Sequence, residues 1–148
     1  MLQLKRIAVL GVSVFLSSQV VACQSPDLAH DLARDLFGDT SGENQALKRN
    51  SRDITALDNR AAVRREHGDR QGAIADYTEI IRITCDDSRT CSVKAAGAYY
   101  ERGQEYEKLG DKQKALVDYQ KSAEIFKQHG NDVYKLILSD IERIQVMF

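Results

Sequence analysis

Three cysteines, Cys23, Cys85 and Cys91, are the residues of this chain best suited to chemistry. Cys85 and Cys91 enclose five residues, Asp86-Asp87-Ser88-Arg89-Thr90, enough chain to turn back and close a disulfide. In an oxidising compartment the pair is expected to close, and so short a loop stabilises by about 2 kcal/mol. In a reducing compartment the same residues are two free thiols. Zinc would want cysteines closer in sequence and two further ligands nearby, which this stretch lacks. His30, His67 and His129 fall in different segments. His67 and His129 each precede a glycine, where an imidazole suits the end of a helix. Asp86-Asp87 is not followed by the Asp-x-Asp-Gly pattern of a calcium loop. No phosphate-binding loop, nucleophile elbow or paired catalytic carboxylate motif is present. The sequence is therefore expected to carry no catalytic residue, cofactor or metal, and to act by binding.

The elements that would position these groups are announced by a phrase that occurs twice. Gly68-Asp69-Arg70-Gln71-Gly72-Ala73-Ile74-Ala75-Asp76-Tyr77 returns as Gly110-Asp111-Lys112-Gln113-Lys114-Ala115-Leu116-Val117-Asp118-Tyr119. Each copy reads as a helix end followed by a helix start. The glycine can take the left-handed conformation that ends one helix, and the aspartate can cap the next. The pattern predicts helices over 54–67, 70–84, 93–109 and 112–128, paired as two antiparallel hairpins with very short turns. Pro26 is the only proline, and charged residues of both signs make up 29% of the chain. That composition suits an all-helical protein and argues against a β-sandwich.

The spacing resembles the tetratricopeptide repeat. With the first unit starting at Ile54, its key positions hold Leu57, Ala61, Gly68, Ala73 and Tyr77. With the second starting at Ala96, they hold Tyr99, Gly103, Tyr106, Gly110, Ala115 and Tyr119. Small residues let the two helices of a pair approach closely, and large ones fill the gaps between pairs. Both units depart at the seventh position, with Arg60 and Arg102 where the family usually has leucine. Arg64 stands where a tyrosine is usual, and Ile80 and Ser122 replace a usual alanine. Counting on by the family's period of about 34 residues lands on Gly130, so 132–146 reads as a capping helix. The unit starts are farther apart than that period, and the extra residues fall around Cys85 and Cys91.

The resemblance implies an all-α fold, a short right-handed solenoid of two helical hairpins plus a cap. Repeat 1 covers about 54–84, repeat 2 about 96–129, and the domain 53–148. It also implies a concave partner groove lined by the first helix of each pair. Here that lining comprises Asp58, Asn59, Arg65 and Glu66, then Tyr100, Glu101, Gln104, Glu107 and Lys108. The groove is polar and mixed in charge. The chaperone-tail clamp of some family members needs several lysines and asparagines, and Asp58, Ala62 and Glu101 at those places argue against it. In the capping helix, Val133, Ile137, Ile141 and Ile144 form one apolar stripe for packing. Tyr134 and Leu138 are left over, and are expected either to form a second contact surface or to lie beneath the Leu28, Leu32 and Leu36 stripe of the preceding tether.

The front of the chain differs in kind. Lys5 and Arg6 precede an uncharged apolar stretch from Ile7 to Leu16, the pattern of a signal peptide over 1–22. Val20-Val21-Ala22-Cys23 resembles a bacterial lipoprotein cleavage box, which implies lipidation of Cys23; ordinary cleavage after Ala22 also suits these residues. Gln24, not aspartate, follows Cys23, so the resemblance implies an outer-membrane anchor facing the periplasm. The alternative is a soluble periplasmic or secreted form. Residues 23–52 read as a tether, with a short helix after Ser25-Pro26 and a flexible loop from Gly38 to Asn44. Without residues 1–22 the formal net charge is −3, and no basic tract suits nucleic acid or anionic lipid. The expected function is an envelope-tethered module that holds a partner protein or peptide. The alternative is a structural subunit that assembles with itself or with a membrane complex through its C-terminal helix.

Overall fold

A computed structural model describes residues 38–85 and 90–146. The expected leader, Cys23 and the Leu28, Leu32 and Leu36 stripe lie outside the described residues. Within them the order is α1 (Ser41–Arg49), α2 (Ile54–Glu66), α3 (Arg70–Thr84), α4 (Val93–Lys108), α5 (Lys112–Gln128) and α6 (Val133–Gln145). The architecture is all-helical, as in a tetratricopeptide solenoid.

Local chemistry sets the hairpins. Asp69 accepts a hydrogen bond from the Gly72 amide at 2.9 Å, and Asp111 accepts one from the Lys114 amide at 3.2 Å. Each satisfies a donor that the first turn of a helix leaves open. Gly68 and Gly110 have φ of 81° and 82°. That left-handed step lets the Asp69 amide reach the Arg64 carbonyl at 2.8 Å, and the Asp111 amide reach that of Tyr106 at 2.9 Å. One residue thus ends one helix while the next begins another. Asp53 and Ser92 cap α2 and α4 in the same way.

The paired helices α2 and α3, and α4 and α5, stack in series; α4 packs also on α3, and α6 on α5. Small residues occupy the crossings: Ala61, Ala73 and Ala115 are fully buried. At Gly103 the approach is closer still. A methyl group there would sit 2.8 Å from Cε1 of the buried Tyr119 ring. The first core gathers Leu57, Tyr77, Ile80 and Ile81, and the second gathers Tyr119, Ile125, Phe126, Ile137, Ile141 and Ile144. Cys85 and Tyr99 pack against both.

Two expectations need correction. Residues 41–44, read as part of a flexible loop, form the first turn of α1. The Asn44 amide donates to Thr40 Oγ1 at 3.1 Å, and the Asn44 oxygen accepts from Arg60 at 2.7 Å. A tertiary partner thus overrides the loop-forming tendency of Ser41, Gly42 and Asn44. Val133, expected in the buried stripe of α6, is 40% exposed. As the first residue of the helix, it stands at the end of the stripe. Tyr134 takes its place and packs against the second core, ahead of the buried Ile137, Ile141 and Ile144.

Candidate partner-binding face

Two buried carboxylates hold the first helices in place. Arg60 donates from Nε to Asp76 Oδ2 at 3.0 Å and from Nη2 to Oδ1 at 2.6 Å. Arg102 repeats the contact on Asp118 at 2.7 and 2.8 Å. The two arginines are the shared departures from the family pattern, and the two aspartates belong to the repeated phrase. Each arginine spends its remaining Nη1 on the helix that precedes its own hairpin: Arg60 on Asn44 in α1, Arg102 on Thr78 in α3 at 3.0 Å. By this measure α1 stands to the first hairpin as α3 stands to the second. Arg64, in the place of a usual tyrosine, adds a second guanidinium to Asp76 at 2.8 Å and also donates to the Gly72 carbonyl. Sequence reasoning missed these pairs. Their one signal was the return of both residue types in both units.

On the row expected to line the groove, the side chains pair from helix to helix. Lys94 Nζ lies 2.6 Å from Asp58 Oδ2, and Arg65 pairs with Glu101, so α2 and α4 are stitched at two levels. Tyr100 donates its hydroxyl to Asp140 of α6 at 3.1 Å, and Glu107 pairs with Arg143 of α6. Glu107 also accepts the Tyr119 hydroxyl at 2.9 Å. The hydrogen bond from Arg143 holds the Glu107 carboxyl below its ordinary range, against a smaller opposing effect of burial. Burial, and then the bond to Asp140, raise the Tyr100 hydroxyl. Lys108 turns sideways to Glu105 at 2.6 Å. Glu105 is fully buried and also holds Arg70, at the start of α3, at 2.9 Å. It was not singled out in the sequence, because no periodic signal marks a buried acid whose partner lies on another unit.

The row therefore divides. Asp58, Arg65, Tyr100, Glu101 and Glu107 are partly buried and partnered within the chain. Gln104 is also partly buried, whereas Asn59, Glu66 and Lys108 are exposed. Exposed ion pairs such as Asp58–Lys94 contribute about 0–1 kcal/mol each, so a partner's charges can replace them at little cost. Tyr134 and Leu138, expected as a separate surface, occupy the positions of the third unit that Tyr100 and Gln104 hold in the second. The structure treats them unequally. Tyr134 is partly buried and packs against the core, while Leu138 is 43% exposed.

Cys85 and Cys91 are joined by a disulfide, with Cα atoms 4.1 Å apart. His129 Nε2 lies 2.9 Å from the Cys91 carbonyl oxygen, a contact that ties the end of α5 to the start of α4. Among the described residues no cluster of histidines, cysteines and carboxylates could hold a metal ion, and no helix is long and apolar enough to cross a membrane.

Residues 96–129 match the tetratricopeptide repeat family. No curated protein matches the sequence. Tetratricopeptide repeats generally mediate protein–protein interaction and are typically not enzymes.

Proposed function

We propose, from a stretch that matches a repeat of protein-binding arrays, that this chain holds a partner protein or peptide on the row formed by α2 and α4, with α6 at its end. The observation that carries this reading is the chemistry of that row. Its partnered charges are shallow and exchangeable, whereas the contacts that keep its helices in place, Arg60–Asp76 and Arg102–Asp118, are buried. The face can change partners without the fold changing. In this reading residues 1–22 are removed on export, Cys23 is lipidated, and residues 23–52 tether the array to the bacterial envelope, at the outer membrane facing the periplasm. Val20-Val21-Ala22-Cys23 and the following Gln24 support it.

Site-specific photocrosslinking in the native envelope tests the binding face. A crosslinker at Gln104 should capture one defined protein, and one at the exposed Gln113 of α5 should not. Adding Glu101→Lys should abolish the capture. Equal capture from both positions would sink the reading.

A second reading rests on α6, where Leu136 is 70% and Leu138 43% exposed. There the chain is a structural subunit that assembles with itself or a membrane complex through this helix. Light scattering separates the two. A monomer favours the groove, and a stable oligomer favours assembly.

A further inference from the structure

We propose that the Cys85–Cys91 bond is a reducible clamp on one end of the joint between the two repeats, so that a dithiol reductant releases the first turn of α4 from the first hairpin. The bearing of this on partner binding rests on the reading of the α2–α4 row as the binding face. The clamp itself does not.

The joint is held differently at its two ends. At the far end Glu105, fully buried in α4, is held by Arg70 of α3. One helical turn earlier Glu101 pairs with Arg65. At the near end, α3 finishes at Thr84 and α4 starts at Val93. Across that gap the Ser92 amide donates to the Thr84 carbonyl at 3.1 Å, and the disulfide joins the residues just inside. The nearest side-chain tie beyond them is Lys94–Asp58, in which both groups are nearly half exposed. Such a pair is too weak to fix a helix end alone. Cys85 packs against both cores, and Cys91 is buried in the second. The sulfur bridge is thus the covalent part of the contact between units at this end. Without it, the start of α4 keeps only that amide bond, the Lys94–Asp58 pair and the packing of Ala98 in the first core to hold it to the first hairpin.

The two cysteines also border open space. They line an open cavity of about 600 Å³ together with Arg52, Arg82, Ser92 and His129. Arg82 pairs with Glu79. Cys85 is the partly buried partner and Cys91 the buried one. A thiolate of the reductant attacks Cys85 Sγ, forming a mixed disulfide while the Cys91 sulfur leaves and takes up a proton. The second thiol of the reductant then attacks its own sulfur in the mixed disulfide. This frees Cys85 as a thiol and leaves the reductant oxidised, with two electrons and two protons transferred.

Amide hydrogen exchange on the full chain tests the clamp, comparing the oxidised protein, the protein kept reduced in dithiothreitol, and the Cys85→Ser/Cys91→Ser variant. Opening the bond should speed exchange at amides 95–98 by about tenfold, with those of 115–126 changed by less than about twofold. Unchanged exchange at 95–98 overturns the proposal. So does an equal rise in every helix, in the variant or in the reduced wild type, because the disulfide would then be a general staple and not a clamp on one joint. Neither arm involves a partner, so the clamp and the groove reading fail separately.

Discussion

Arg102 lies sixteen residues before Asp118 and grips its carboxylate through two parallel hydrogen bonds, of 2.7 and 2.8 Å, from the neighbouring helix of the same hairpin. The Asp118 side chain is 5% exposed. Removing one partner from such a pair leaves a buried charge uncompensated. Asp118→Ala should therefore cost about 3–5 kcal/mol, while Arg102→Met/Asp118→Leu together should fall within about 2 kcal/mol of wild type. Urea midpoints of the three proteins decide this. A double variant that loses as much as Asp118→Ala would mean that the cost is not that of an uncompensated buried charge.

Ala73 and Ala115 are fully buried where helices cross. Leucine at either site should overpack the crossing and cost roughly 1–3 kcal/mol, read from thermal or urea unfolding. A neutral result at both would contradict the packing described for the two hairpins.

The tie between α4 and α6 should weaken in acid. Glu107 has its carboxyl held below the ordinary value of 4.5 by the hydrogen bond from Arg143. Because the folded value is the lower one, the contribution is present above the unfolded value and lost as pH falls through the folded one. Urea midpoints should thus drop below about pH 4 by more in wild type than in Glu107→Gln. Parallel curves for the two proteins would remove Glu107 from the account.

Labelled fatty acid should enter the protein in cells through Cys23, and Cys23→Ala should abolish the label and release a soluble or uncleaved form. Absence of label from the wild-type protein would refute the anchor.

Exposed leucines on α6 give a direct test of the assembly reading. Leu136→Ser/Leu138→Ser should leave the melting temperature within about 2 °C, since surface changes away from the core cost little. If α6 is an assembly surface, the same variant should lower the mass seen by light scattering. An unchanged mass with a large fall in melting would place these residues inside the fold.

Much of the fold was legible because its punctuation is local. Gly68-Asp69 and Gly110-Asp111 end and start helices by backbone conformation and side-chain capping, which need no neighbours. Ala73 and Ala115 were readable from the repeat. The charged contacts were harder. Arg60 and Arg102 stood out only as shared departures, because a pattern along one helix does not say what faces it across the hairpin. Glu105 carried no signal, since its partner Arg70 belongs to the other unit. Residues 41–44 read as loop because the bond from Arg60 that engages Asn44 comes from a helix formed later in the chain. In the row of the proposed binding face, residue types and positions were legible, but not their pairing with α6 through Asp140 and Arg143.

The third hydrogen bond of Arg60 and of Arg102 gives the array a grammar. Each arginine reaches back to the helix before its hairpin, to Asn44 or to Thr78, and neither bond reaches forward. A hairpin copied to the end of such a series brings its own latch and asks of its predecessor only a small polar group, so the series lengthens in one direction. In the third unit the same position holds Leu136, which has no guanidinium to extend. The backward tie thus belongs to the first two units, and α6 is held to α5 by apolar packing.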